Sequence, residues 1–153
     1  MSDLNFKLDS PQNPDNIEKV LQSIDAAKST LHTNNKKLFD LRDESFQKRR
    51  LIAQKKKELS NSHDRIKNTI ADELDARGKP KFSNEVKRQA EFMMRSAADP
   101  TCRNLEQQID DLMVASADLD NKISDLTFTQ EVILMDYKLG LQLLEVFGRH
   151  LGV

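Results

Sequence analysis

Apolar residues return every seven positions from Ile17 onward: Ile17, Ile24, Leu31, Leu38, then Ser45, Ile52, Leu59 and Ile66. Seven of these eight positions are apolar, and neither Pro nor Gly intervenes before Gly78. The spacing predicts one long helix with an apolar seam. Its companion line is weaker: Val20, Ala27, Asn34, Leu41, Lys48, Lys55 and Ser62. Asp15 and Glu18 stand three residues apart before the first apolar positions, the arrangement of a helix cap. At the far end, Gly78 can adopt the left-handed backbone that closes a helix and Pro80 blocks continuation. The predicted long helix therefore runs over 15–77.

A second, shorter helix is predicted over 83–98. Ser83 or Asn84 caps it, Glu85 lies in its first turn, and Val86, Ala90, Met93, Met94 and Ala97 form one apolar face. Asp99-Pro100 then supplies a cap and a first helical residue for a third helix over 100–151. That helix has the clearest periodicity in the chain. Residues spaced alternately four and three apart run Leu105, Ile109, Leu112, Ser116, Leu119, Ile123, Leu126, Gln130, Ile133, Tyr137, Gly140, Leu144, Phe147, Leu151, and eleven of the fourteen are apolar. Ser116, Gln130 and Gly140 read as tolerated defects, although a buried Gln can also fix register.

Two long amphipathic helices joined by a helical elbow should fold back on each other. The expected fold is thus all-α: a long antiparallel helical hairpin or coiled coil, forming a single domain over 15–153. Mirroring about residue 89 would set residues 48–57 against 121–130. Residues 1–14 read as an extended arm, with Leu4, Phe6 and Leu8 alternating with polar residues ahead of Pro11 and Pro14.

Composition agrees with long helices. The chain of 153 residues has four Gly, four Pro, no Trp and one Tyr, too few turn and aromatic residues for a sandwich or barrel. A lone Cys102 excludes an intrachain disulfide framework and suits a reducing compartment. No signal-like leader or membrane span is evident, so a soluble, cytoplasmic protein without a membrane partner is expected.

Charge alters this picture. Residues 1–95 hold 20 Lys and Arg against 15 Asp and Glu, whereas residues 96–153 hold 4 against 10. Lys48, Arg49, Arg50, Lys55, Lys56 and Lys57 form the densest basic run, and Lys79, Lys81 and Arg88 add to it near the elbow. Such a band can neutralise phosphates without reading sequence, so these nine residues are the candidate nucleic-acid contacts. The competing account pairs the basic first helix with the acidic third, or leaves both faces solvated. Residues 104–131 support it with seven acids against Lys122 alone, and no aromatic residue interleaves with the basic run to form a single-strand stacking platform.

Catalytic chemistry finds little footing. His32, His63 and His150 are far apart, no metal-ligand spacing joins them to Cys102, and no phosphate loop or nucleophile motif occurs. No enzyme activity, cofactor or metal is expected. Cys102, in the first turn of the third helix, reads as an incidental small residue; the helix dipole would otherwise lower its pKa.

Beyond Phe128 the apolar residues spread around the third helix. One partner helix cannot cover all of Val132, Met135, Leu139, Leu141, Leu143, Val146 and Phe147, which makes them the candidate oligomer interface. The sequence therefore points to a non-enzymatic homo-oligomeric coiled coil that acts as an interaction or scaffold protein for an unidentified protein partner. A nucleic-acid-binding accessory protein is the alternative, and a chaperone-like client-binding coiled coil is the third.

Residues 78–109, Gly-Lys-Pro-Lys-Phe-Ser-Asn-Glu-Val-Lys-Arg through Asp99-Pro100 to Leu105 and Ile109, resemble a segment of small helical proteins of bacteriophages and prophages. Those carry a GKPxYSNExxR elbow, an acidic-Pro break and a coiled coil with an apolar-aromatic end. The resemblance covers roughly half of the chain, including the stretch from Tyr137 to Phe147, with Phe82 in place of Tyr. It implies a mobile-element setting, sometimes near recombination genes, and no catalytic residue.

Overall fold

A computed structural model describes residues 14–151, with side chains over 15–149; the predicted arm lies outside the described residues. Three helices account for nearly all of it: α1 (Pro14–Asp72), α2 (Glu85–Ala98) and α3 (Pro100–Leu151). The all-α prediction holds. The chain divides into two compact units, one formed by Met1–Arg42 with Asn121–Val153 and the other by Asp43–Asp120.

In the first unit, α1 and α3 lie antiparallel. Val20, Ile24 and Phe147 form a buried cluster against which Ile17, Tyr137, Leu143 and Leu144 pack. Further along, Gln130 Nε2 donates to Asn35 Oδ1 at 2.8 Å. In the second unit the same two helices are again antiparallel, with Ser45 and Arg49 meeting Asp120. Its buried residues include Ile70, Cys102, Leu105, Ile109, Ser116 and Leu119. Every described seam position predicted on α3 is buried or half-buried, as is every predicted position on both lines of α1. Long helices with narrow apolar stripes bury those stripes and leave charge outside.

The register differs from expectation. The fold-back centres near residue 83, midway between Asn35 and Gln130 and also between Ser45 and Asp120. It does not centre on residue 89. The reason is local to the elbow. Helix α1 stops at Asp72, five residues short of the predicted end, because residues 73–84 form their own turn. Asp75 Oδ1 accepts from the backbone N–H groups of Arg77 and Lys79, and Asp75 N–H donates to the Lys79 carbonyl at 2.7 Å. An Asp side chain that bonds nearby backbone competes with helix. Gly78 sits at φ 72°, in the left-handed region expected of it, but at the tip of this turn and not at the helix end.

The remaining boundaries follow their caps. Asn84 Oδ1 accepts from Lys87 N–H at 2.8 Å and opens α2. Asp99 Oδ1 accepts from the N–H groups of Thr101 and Cys102 and opens α3. Those two bonds hold the Asp99 carboxyl below its ordinary pKa. At the start of α1, Pro14 is already helical, which places Asp15 in the first turn and not at the cap.

Helix α2 does not turn its apolar residues inward. Its apolar face, Val86, Ala90, Met93, Met94 and Ala97, is exposed. Helix α2 is held instead by Phe92 and Arg95. The Phe92 and His63 rings meet edge to face with centroids 5.2 Å apart, and the Lys67 ammonium lies 5.1 Å from the Phe92 ring. Arg95 bonds both oxygens of Glu73 and also Glu91.

That cluster is a pH-dependent latch. The Arg95 guanidinium, aided by Lys81, holds the Glu73 carboxyl down from 4.5 to about 2. A carboxyl with a depressed folded-state pKa stabilises the fold above its ordinary value and stops doing so as pH falls through the depressed one. The protection of α2 amides, taken against the intrinsic exchange rate at each pH, should therefore fall as pH drops from 4.5 to about 2. In Glu73→Gln that acid-dependent change should be largely absent, since Asp99 still titrates but the latch does not. Equal acid sensitivity in both proteins would contradict this assignment.

Candidate interaction surfaces

The basic run of α1 splits by position. Arg49 binds Asp120 with Nη2 2.9 Å from both carboxylate oxygens, and Ser45 Oγ donates to the same carboxylate at 3.1 Å. Lys48 pairs with Glu44, and Lys55 with Glu58, whose pKa that contact lowers. Arg50 lies 5.9 Å over the ring of Phe46. Among the described residues no ion pair engages Lys56 or Lys57. Near the elbow, Lys81 pairs with Glu73 and Arg88 with Glu85, while no ion pair of the Lys79 side chain is found among the described residues.

The acidic partner strip behaves differently from a charge zipper. Of the seven acids between residues 104 and 131, Asp120 alone makes an ion pair with a base of α1 among the described residues. Of the eight bases that make ion pairs among the described residues, six pair with an acid one turn away on their own helix, and exposed pairs of that kind contribute little to stability. Charge on these helices is therefore chiefly solvated. Phe46 is exposed just ahead of the basic run, an aromatic neighbour that lies outside it.

The C-terminal third of α3 has two faces. One is the seam against α1, and Phe147, only 2% exposed, belongs to it. Phe147 is thus core of its own chain and not an interface residue. Leu143 also packs against that cluster. The other interface candidates, Val132, Met135, Leu139, Leu141 and Val146, are exposed as expected.

Four of those five fall on a regular line that the residue-by-residue spread concealed. Phe128, Val132, Met135 and Leu139 are spaced four, three and four apart, and Val146 continues the line beyond Gln142. Each stands two residues after a seam position, which on a helix is close to the opposite side. Phe128, Met135 and Leu139 are 69%, 67% and 52% exposed. A heptad line is the signature of one helix packing on another. Here it faces outward. The signal was present in the spacing, but a single-seam description absorbs these residues as excess.

Cys102 needs a revised account. It is fully buried, three residues before Leu105, and so extends the α3 seam toward the N-terminus. Burial raises its thiol pKa, with Asp99 and Glu106 adding to the effect, so a dipole-activated thiolate is not supported. His63 Nε2 is buried without a hydrogen-bond partner, its ring perpendicular to that of Phe92. Among the described residues no cluster of three His, Cys, Asp or Glu is placed to hold a metal ion, and no helix is long and apolar enough to cross a membrane. Comparison of the chain with protein-family models, with curated proteins and with solved structures found no match.

Proposed function

We propose that this chain is a non-enzymatic coiled-coil interaction protein that assembles with itself through the outward heptad line of α3. The observation that supports it is the line itself: regularly spaced large apolar side chains, exposed on a helix whose opposite side is already packed. Scattered apolar residues on a surface need no explanation, but a contiguous row with helix-packing spacing does. A scaffold of this kind agrees with the mobile-element setting that the elbow motif implies.

Assembly makes melting depend on concentration, because a partner that binds only the folded state stabilises it by mass action. The wild type should melt several degrees higher at ~100 μM than at ~1 μM. Met135→Glu combined with Leu139→Glu should keep the helix content and lose that dependence. Concentration-independent melting of the wild type would refute the proposal. Direct contact with phosphate backbones is the second reading, favoured by Arg50 over the exposed Phe46 and by Lys56 and Lys57, which no ion pair engages among the described residues. It predicts salt-sensitive binding of labelled duplex, which assembly alone does not.

A further inference from the structure

Two flanks border the outward line of α3. On one side stand Glu131, Lys138 and Glu145, each immediately before a position of the line, and on the other stand Thr129, Asp136 and Leu143. Glu145 pairs with Arg149 on its own helix. Among the described residues no ion pair engages Glu131, Asp136 or Lys138. These flanks decide how a second copy can lie on the line, because charges beside a coiled-coil seam select orientation and register.

A parallel arrangement of two copies brings Glu131 against Asp136, an acid on an acid. An antiparallel arrangement places like flanks side by side. With the twofold axis near residue 137, Glu131 faces Glu145 while Lys138 and Asp136 each face themselves. Shifting the axis one half-heptad, to between residues 133 and 134, replaces those like-charge contacts. Phe128 then lies against Leu139 of the second copy and Val132 against its Met135, and twofold symmetry repeats both layers. Glu131 meets Lys138 twice, and Asp136 meets the neutral Thr129. Of these three arrangements, this register combines four wholly apolar layers with two attractive Glu131–Lys138 pairs.

From this we infer that the occupant of the outward line is a second copy of the chain, antiparallel, with its α3 crossing between Ile133 and Leu134 and with reciprocal Glu131–Lys138 ion pairs. The inference rests on self-assembly through the same line and adds its partner, direction and register. A twofold contact of this kind is closed, so assembly stops at the dimer.

Charge reversal tests it by size-exclusion chromatography with light scattering at low salt. Glu131→Lys and Lys138→Glu each turn two attractive pairs into two repulsive ones and should weaken dimerisation by on the order of tenfold. Mixing the two single variants should restore a heterodimer. In it the lysine introduced into one chain meets the glutamate introduced into the other, and the remaining pair is the native Glu131 with the native Lys138. The double variant Glu131→Lys with Lys138→Glu should likewise dimerise as the wild type does. A dimeric wild type whose single variants are unimpaired, or whose mixture fails to recover, overturns the register while leaving self-assembly in place. A wild type monomeric throughout overturns both.

Discussion

Phe147→Ala should lose about 3–5 kcal/mol of unfolding free energy, the range for removing a buried aromatic ring. The ring closes the cluster of Val20 and Ile24, and Ile17, Tyr137, Leu143 and Leu144 pack around it. No neighbouring element can collapse into the space without moving two helices. The sequence alone places Phe147 equally on the α3 seam and among the residues left over for an interface. Urea denaturation separates these roles. A core residue costs the same at every protein concentration, whereas an interface residue costs more as the wild type associates. A loss under about 1 kcal/mol, or one that vanishes in dilute protein, would contradict its place in the core.

Gly140→Leu is the second large effect expected, a loss of about 3 kcal/mol or more. A Cβ at Gly140 would lie 2.9 Å from Ile24 Cγ1 and 3.3 Å from its Cδ1. Ile24 is buried and branched at Cβ, so its Cγ1 cannot swing aside freely. Helix propensity opposes this by about 1 kcal/mol in favour of any ordinary residue over Gly. For Gly140→Ala the two contributions are close in size and the net loss should stay under about 2 kcal/mol. For Leu the added carbons decide the sign. Ile24→Ala in the Gly140→Leu background should recover part of the loss, because the two sites are in contact. A Leu variant as stable as the wild type would contradict the close approach of α1 and α3 here.

Gly140 also shows where periodicity informs and where it stops. The heptad spacing locates it on the seam, and on the seam it is found. What spacing cannot express is that the apparent defect is matched by a residue across the interface. Gly140 admits Ile24, Gln130 donates to Asn35, and Ser45 shares the Asp120 carboxylate with Arg49. These pairings fix which turn of α1 meets which turn of α3, and they join residues up to 116 positions apart in the chain. A one-dimensional pattern repeats every seven residues and fits equally well after a slip. The turn over residues 73–84 moved the fold-back by the same logic, because the hydrogen bonds of Asp75 override a helical composition.

The candidate surfaces were legible to different degrees. Exposure of Val132, Met135, Leu139, Leu141 and Val146 follows from counting more apolar residues than one partner helix can hide. Their order along a second heptad line follows from the same spacing once the first seam is subtracted. The outward direction of Met93 and Met94 does not follow, because an amphipathic helix of 14 residues has no internal signal for which neighbour it will meet. Contacts of Phe92 with His63 and of Arg95 with Glu73 settle that orientation, and they are long-range.

Sedimentation equilibrium of the wild-type chain tests the self-assembly of this protein most directly. Across a series from about 1 to 200 μM, the weight-average mass should rise from the 17.5 kDa of one chain toward twice that value and level off there. A mass that stays at 17.5 kDa at every concentration would contradict self-assembly through α3.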